Sequence, residues 1–432
     1  MKGLKNFAKS TFWTLFYQSL SLFLNFLLNI VIARTLGPSG RGLYAVYILT
    51  PSLLSMLLSL SLDESHVYFL SKGHSTGNVF SISLVYSLVS GAFLFLSFYI
   101  SPKIYFSIFK NLPQNAMLYA ILITPFFLLF RYLRSIFLGT GHIKTYNFLD
   151  SMRIGILFVF ISLGVLLIKP DIGIIQHAVN YHILLAVIIA CILLIPDFKY
   201  GHVKTHLFSL FKNELKYGLK AYPGITMSFF NRRLDVFILN YFRTPGEVGI
   251  YSVSTALAEL LWKLPNSMAI PLFPKVAKDD KKSSTEFTRF IARLTLFVLI
   301  FLGIFMVLIG RPLIIILFGH KFLASFVPLV YLLPGIVFLG VGRVLSAYFH
   351  GINKPEYGSF FTIISVIFTI VFDLVLIPSH GAEGAAIASS IAYTISGILA
   401  IFLFSKETGT NFFVMFAPPV KVMFKIINKG KG

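Results

Sequence analysis

Five charged residues stand inside two apolar segments of the chain. Arg232, Arg233 and Asp235 occupy one segment, and Glu259 and Lys263 occupy the next. A charge at the centre of a membrane helix costs roughly 2.5–3.5 kcal/mol on insertion scales, so each one needs a physical reason. Arginine and lysine bind anions such as phosphate groups, whereas a carboxylate binds a cation or a proton. The alternative is that Arg232 with Asp235, and Glu259 with Lys263, neutralise each other within one helix.

The composition places these segments in a membrane. Of 432 residues, 56% are hydrophobic and 12% are charged, and the mean hydropathy is +0.83. Soluble domains carry roughly 25% charged residues, so soluble enzymes and nucleic-acid-binding proteins are nearly excluded. The single cysteine, Cys191, excludes an internal disulfide and a cysteine-based zinc site. We attribute the net charge of +21 to inner-leaflet orientation and an anionic ligand.

About twelve apolar segments are long enough to cross a bilayer as helices, which takes about 20 residues each. They are continuously apolar and lack the alternation of a membrane β-barrel. The first is too long for a signal peptide and is expected to be retained. The predicted spans are Thr11–Ala33, Leu43–Leu62, Val79–Ile100, Asn115–Leu138, Ile154–Ile168, Ile174–Ile195, Tyr217–Tyr241, Gly249–Phe273, Phe290–Leu308, Ala324–Ala347, Gly358–Ile377 and Glu383–Phe404.

The basic residues predict the orientation. With the N-terminus in the cytoplasm, Lys and Arg outside the spans favour the inner side by about three to one, which indicates cytoplasmic N- and C-termini. We therefore expect a multi-pass protein of the plasma membrane.

The two halves of the sequence repeat. Residues 36–46 align with 243–253 at a spacing of 207, which matches Pro38, Gly42, Tyr44 and Val46 with their second-half equivalents. Gly141 similarly pairs with Gly351 at a spacing of 210. An even number of spans per half gives parallel repeats with a substrate site between them. The predicted fold is an all-α polytopic membrane protein of two six-helix lobes around a central cavity. Its parts are lobe 1–196, cytoplasmic linker 197–216, lobe 217–405 and basic cytoplasmic tail 406–432.

Four motifs follow one another along the chain: Ile32–Tyr44 (IARTLGPSGRGLY), Arg233–Leu239 (RLDVFIL), Val248–Ser252 (VGIYS) and Ile377–Ala388 (IPSHGAEGAAIA). In this order they resemble the polysaccharide flippases of the multidrug/oligosaccharidyl-lipid/polysaccharide exporter superfamily. The resemblance implies a transporter that flips an isoprenoid-diphosphate-linked oligosaccharide or polysaccharide precursor from the cytoplasmic to the outer leaflet by alternating access. It also implies glycan polymerase or glycosyltransferase partners, and no nucleic acid.

On this interpretation, cationic and polar side chains bind the diphosphate and sugars in the cavity. The 207-residue spacing maps Asn25 onto Arg232, which predicts that Arg232 faces the cavity and Arg233 faces neighbouring helices. Arg232→Ala should then reduce transport more than Arg233→Ala. The predicted cavity residues are Arg232, Lys263, Glu259, Asp235, Asn25 and Gln18. Those predicted at the entrance and exit are Arg34, Arg41, Arg131, Arg134 and Arg343, for which interface anchoring is the alternative.

No catalytic residue, metal site or organic cofactor is expected, because the sequence contains no nucleotide-binding loop or hydrolase motif. A coupling Na⁺ or H⁺ is expected to bind Asp235, Glu259, Asp63 or Asp373. Two alternatives stay open. One is a drug/cation antiporter of the same superfamily, and the other is an integral-membrane enzyme acting on lipid-linked sugars, for which Asp63, Glu64 and His66 are the only candidates.

Overall fold

A computed structural model describes residues 2–167, 172–198, 207–278 and 280–418. Within these ranges the chain forms twelve α-helices, two short 3₁₀ turns and no strand. The helices are α1 Lys2–Leu58, α2 Leu62–Ser71, α3 Thr76–Ile100, α4 Pro102–Ile108, α5 Gln114–Gly139, α6 Ile143–Leu167, α7 Ile172–Phe198, α8 Leu207–Phe242, α9 Pro245–Lys278, α10 Lys281–Phe318, α11 Phe326–Gly351 and α12 Pro355–Thr408.

The all-α membrane class predicted from the sequence is confirmed. Eight helical stretches of the described chain are long and apolar enough to cross a membrane. Two of them, residues 13–58 and 356–408, are 46 and 53 residues long, about twice the length that one crossing needs. Helices α8 and α9 are long as well, but they are less apolar because they carry more charged residues, and they are not among the eight.

Glycines break the two longest helices. Gly37 in α1 and Gly381 in α12 have φ values of 66° and 53°, a backbone conformation that residues with a Cβ atom rarely adopt. The predicted loops between the first two spans and between the last two are therefore single glycine breaks within otherwise helical backbone. Counting the halves of α1 and α12 separately, the described chain has the twelve long helices that the apolar segments predict.

The helix over Ile143–Leu167 begins well before its predicted start at Ile154. Its first three turns are polar, and their side chains find partners within the fold. Asn147 donates to the Thr14 hydroxyl at 3.0 Å, and Asp150 pairs with Arg134 at 3.1 Å. Hydropathy alone therefore starts the predicted span only after these polar residues.

The chain divides into two compact units, Met1–Thr226 and Met227–Gly432. In the N-terminal unit, a buried core joins α3, α5 and α7 through residues such as Val79, Leu133 and Ile183. In the C-terminal unit, α11 packs closely on α12, where the Gly335 N–H donates to the Ser390 hydroxyl at 2.9 Å. The predicted linker and tail stay predictions, since 199–206 and 419–432 lie outside the described residues.

The repeat is visible in how two helices end. Gly141 after α5 and Asn353 after α11 both have positive φ, and the next N–H bonds back to Phe137 or Phe349 at 2.8 Å. Gly139 and Gly351, the last helical residues, each abut a neighbouring helix so closely that a Cβ atom would clash. The equivalent residues thus lie 212 positions apart, and the predicted match of Gly141 with Gly351 is wrong by two residues.

We expect Gly381→Ala to destabilise the C-terminal unit by roughly 1–3 kcal/mol, because it forces a Cβ into a left-handed conformation. The new atom would also meet the Arg243–Glu247 ion pair, whose own separation is 3.2 Å. Thermal unfolding in detergent measures the effect. Gly303→Ala is the matched control, because Gly303 is helical and has open space around it. Equal melting temperatures for the two variants would contradict this account of the break.

Candidate functional site

A polar cavity of about 350 Å³ lies within the C-terminal unit. This volume is in the range of small-molecule sites. Four helices of that unit, α8, α9, α11 and α12, supply its walls. The lining side chains that bear charge or hydrogen-bonding groups are Ser228, Asn231, Arg232, Glu259, Trp262, Asn266, Arg343, Ser346, Thr362, Tyr393 and Ser396.

Helical periodicity decides which arginine of α8 reaches this cavity. Ser228, Asn231 and Arg232 lie one turn apart on one face, and all three line the cavity. Arg232 Nη1 donates to the Ser228 hydroxyl at 2.9 Å. Arg233 points about 100° away and pairs with Glu259 of α9 at 3.0 Å.

Glu259 and Lys263 do not form the pair that their i,i+4 spacing suggests. Glu259 lines the cavity but pairs across helices with Arg233. Lys263 is exposed and is not among the lining residues. The predicted intrahelical pairing is therefore replaced by an interhelical pair, which neutralises the only acid in the cavity wall.

Arg343 of α11 is the second arginine of the cavity. Its Nε donates to the Asn266 side-chain oxygen at 2.8 Å. In the described part of the chain, neither Arg232 nor Arg343 forms an ion pair, so both retain a net positive charge facing the cavity. Arg343, predicted at the entrance, thus belongs with Arg232.

Two of the predicted acids are buried beside the cavity rather than in its wall. Asp235 accepts hydrogen bonds from the Tyr251 and Ser389 hydroxyls. Asp373 is fully buried, and neither of its carboxyl oxygens has a hydrogen-bond partner among the described residues. The two carboxyls interact electrostatically.

The predicted residues of the N-terminal unit are placed differently. Gln18 and Asn25 are exposed, but Ser21 between them turns into α6 and bonds Ser151 at 2.8 Å. Arg41 is buried, with 6% exposure, and donates to Asn29 at 2.6 Å.

The other three arginines predicted at the entrance and exit differ in whether an acid pairs with them. Arg34 is exposed on α1. Arg131 pairs with Asp63 at 2.6 Å, and Arg134 with Asp150 at 3.1 Å. These two arginines, unlike Arg232 and Arg343, have their charge matched by an acid.

Sequence reasoning missed most of the neutral wall of the cavity, including Trp262, Asn266 and Tyr393. A signal was present on α9, where Glu259, Trp262 and Asn266 follow the i, i+3, i+7 spacing of one helical face. Tyr393 gives no such signal, because it is one aromatic residue in a long apolar helix. Its hydroxyl donates to the Asn231 carbonyl at 3.0 Å.

Fold and site together describe a membrane protein of two helical units, one of which encloses a cationic, polar cavity. The chain belongs to the polysaccharide biosynthesis protein family, whose sequence model matches residues 7–278. It is 24% identical over 208 residues to a probable low-salt glycan biosynthesis flippase of Haloferax volcanii, covering 47% of this chain and 43% of that protein. It is also 24% identical over 407 residues to a capsular polysaccharide biosynthesis protein of Staphylococcus aureus, covering 90% of this chain and 96% of that one.

Two solved structures share the fold. A lipid II flippase in an inward closed conformation matches with a TM-score of 0.76 at 19% identity, over 98% of this chain and 93% of that chain. An inward-facing multidrug transporter of the MATE family matches with a TM-score of 0.70 at 16% identity, over 90% and 94%. The TM-scores establish a common fold. At these low sequence identities the fold does not specify the cargo, which has to be argued from the site.

The Arg233–Glu259 pair should be structural. We expect Arg233→Gln and Glu259→Gln each to lower the melting temperature, and the double variant to lose less than the sum, because each single change strands the other charge. Both side chains are about one-third exposed, so the coupling energy should be about 1 kcal/mol or less. A double-mutant cycle of thermal unfolding measures it. Strictly additive losses would show that the two charges do not stabilise each other.

Proposed function

We propose that the chain is a flippase that moves an isoprenoid-diphosphate-linked glycan precursor from the cytoplasmic to the outer leaflet by alternating access. The observation that carries the proposal is the pair of arginines, Arg232 and Arg343, that line one cavity without a salt bridge to an acid of the described chain. Membership of the polysaccharide biosynthesis family, and the names of the relatives as flippases, support the same function.

A diphosphate is the kind of group that these arginines would bind. Each guanidinium presents a planar fork of donors that matches phosphate oxygens, and its attraction is stronger in a low-dielectric cleft than in water. The bonds that the arginines now make, to Ser228 and Asn266, are to neutral acceptors. A phosphate can replace such acceptors without leaving an uncompensated carboxylate behind.

The rest of the wall suits the sugars. Asn231, Ser346, Thr362 and Ser396 offer hydroxyl and amide groups to a carbohydrate, and Trp262 offers an aromatic surface. The isoprenoid tail can stay in lipid while the polar head group crosses through protein.

A drug/cation antiporter is the rival within the same fold. A cationic drug needs an acid in the wall, but the one lining acid, Glu259, is already paired with Arg233. The remaining charge in the wall is positive, which favours an anionic cargo. An enzyme that modifies lipid-linked sugars is disfavoured by the transporter names of the relatives and structural neighbours. Mass spectrometry of the lipid after the transport assay separates the two, because a flippase leaves its cargo unchanged.

The orientation is part of the proposal. The excess of Lys and Arg in alternate connections supports cytoplasmic N- and C-termini, which suits a cargo that is taken up from the cytoplasmic leaflet. Glycosyltransferases that supply the cargo and a polymerase that consumes it are the partners this direction of transport requires.

Arg232→Ala and Arg343→Ala should each weaken transport of labelled lipid-linked glycan into proteoliposomes by about ten- to a hundredfold. This corresponds to losing one hydrogen-bonded charge, roughly 1.5–3 kcal/mol. Lys263→Ala is the matched control, because it removes a cation of the same region that does not line the cavity. Equal losses in all three variants, at equal expression and melting temperature, would reject the cavity as the binding site.

We also propose that Asp373, together with Asp235, binds the coupling cation. A fully buried carboxyl with no donor needs a proton or a cation such as Na⁺. The hydroxyl of Thr369, one turn earlier on α12, is buried and has no partner in the described chain, so it offers a further oxygen ligand.

Asp373→Asn should make transport insensitive to an imposed Na⁺ or H⁺ gradient, because the amide cannot exchange a charge. Transport into proteoliposomes is measured with each gradient in turn. Glu286→Gln, which removes an exposed carboxylate of α10, should respond like the native protein. Full gradient dependence in Asp373→Asn would remove this residue from the coupling mechanism.

A further inference from the structure

An ionisable pair is buried inside the N-terminal unit. His66 of α2 and Glu214 of α8 have fully buried side chains, and His66 Nε2 lies 3.5 Å from a carboxyl oxygen of Glu214. Neither carboxyl oxygen of Glu214, nor His66 Nε2, makes a hydrogen bond within the described residues. The other ring nitrogen, Nδ1, lies 3.3 Å from the Ser135 hydroxyl.

The number of protons on this pair determines whether it can stay buried. With one proton, the pair is neutral overall, either as imidazolium with carboxylate or as imidazole with carboxylic acid. With none, a lone carboxylate is buried, and with two, a lone imidazolium is buried. Both unpaired charges are strongly unfavourable in an apolar interior.

Among the described residues of the helices around the pair, the charged groups are either paired with other partners or exposed. On α2, Asp63 is paired with Arg131 of α5, and Glu64 is exposed. On α5, Arg134 is paired with Asp150, and the Tyr132 hydroxyl donates to the Ser59 carbonyl at 3.0 Å. The Tyr86 hydroxyl of neighbouring α3 donates to the Leu58 carbonyl. The other ionisable side chains of α2, α3, α5 and residues 207–226 of α8 are Tyr68, Tyr99, Tyr119, Lys212, Lys216, Tyr217, Lys220 and Tyr222.

The pair lies where the first part of α8 packs against the rest of the N-terminal unit and forms hydrogen bonds with it. The Ser65 hydroxyl donates to the Glu214 carbonyl at 2.7 Å, and the Tyr222 hydroxyl donates to the Leu57 carbonyl at 2.8 Å. Gly218 lies so close to the Leu60 carbonyl that a Cβ atom would be 2.5 Å from it. Residues 207–226 thus pack against the break between α1 and α2, where Leu60 and Ser61 have positive φ.

We propose that His66 and Glu214 form a proton-binding site, and that the single bound proton holds residues 207–226 of α8 against the N-terminal unit. When the segment is docked, the pair binds one proton. When the segment is detached, both groups are in contact with water and can exchange protons with it. Docking therefore weakens as the pH rises, because the detached pair loses its proton. It also weakens as the pH falls, because the detached pair takes up a second one.

Hydrogen exchange of residues 207–226 in the full-length protein, in lipid nanodiscs across pH, tests the proposal. After correction for the intrinsic exchange rate, protection should be greatest in an intermediate range. It should fall on both sides by up to about tenfold per pH unit beyond each titration. Exchange of α11 and α12 in the same sample reports whether the whole protein stays folded.

Two variants should each remove one side of this profile. Glu214→Gln leaves a neutral imidazole, so protection should be lost only on acidification. His66→Gln leaves a carboxyl that stays buried only when protonated, so protection should be lost only as the pH rises, and from a lower pH than in the native protein. Glu64→Gln, which removes an exposed carboxylate of the same helix, should retain the native profile.

A native profile that is flat across pH would overturn the proposal, because simple packing of α8 does not depend on a proton. Variants that keep both sides of the native profile would also overturn it, because the titrating groups would then lie elsewhere. If a variant fails to fold, the native profile alone still decides. None of these outcomes depends on which cargo the protein carries.

Discussion

The arrangement of this chain depends on one constraint, the free energy needed to hold a charge away from water without a partner. Several charged side chains in its apolar helices meet the constraint by pairing across helices, as Arg131 does with Asp63 and Arg233 with Glu259. Such pairs fix how neighbouring helices pack, because losing one partner leaves the other charge unmatched. Charged groups that lack a partner therefore stand out, and they are the ones to which a ligand, a cation or a proton can be assigned.

Much of the fold follows from the sequence because its signals are local. Length and hydropathy are enough to predict twelve long helices, even where a glycine break joins two of them into one continuous element. The orientation of Arg232 and Arg233 follows in the same way. Adjacent residues of a helix differ by about 100°, so only one of the two can share the face of Ser228. Inferences of this kind need no knowledge of neighbouring helices.

What the sequence could not predict are the contacts between helices. Glu259 has Lys263 one turn away, but it pairs with Arg233 of another helix, which brings its guanidinium within 3.0 Å. The register of the repeat failed for a related reason. Gly351 aligns with Gly141 by residue type, but in the fold its counterpart is Gly139, because both allow close approach of a neighbouring helix. A glycine in the sequence can serve close helix approach, as Gly139 and Gly351 do, or a positive φ, as Gly141 does. Only the packed structure shows which of the two applies.

The corrected register exposes a difference between the two halves of the chain. Arg131 lies eight residues before Gly139, and Arg343 lies eight residues before Gly351, so the two arginines hold the same place in the repeat. Asp63 neutralises the first, whereas Asn266 leaves the charge of the second in place. Equivalent positions have thus been put to different uses. In one half the arginine pairs with an acid of another helix, and in the other it donates to an amide and keeps its charge. Two equivalent arginines can thus differ in charge balance, because the partner that each one meets, an acid or an amide, comes from another helix.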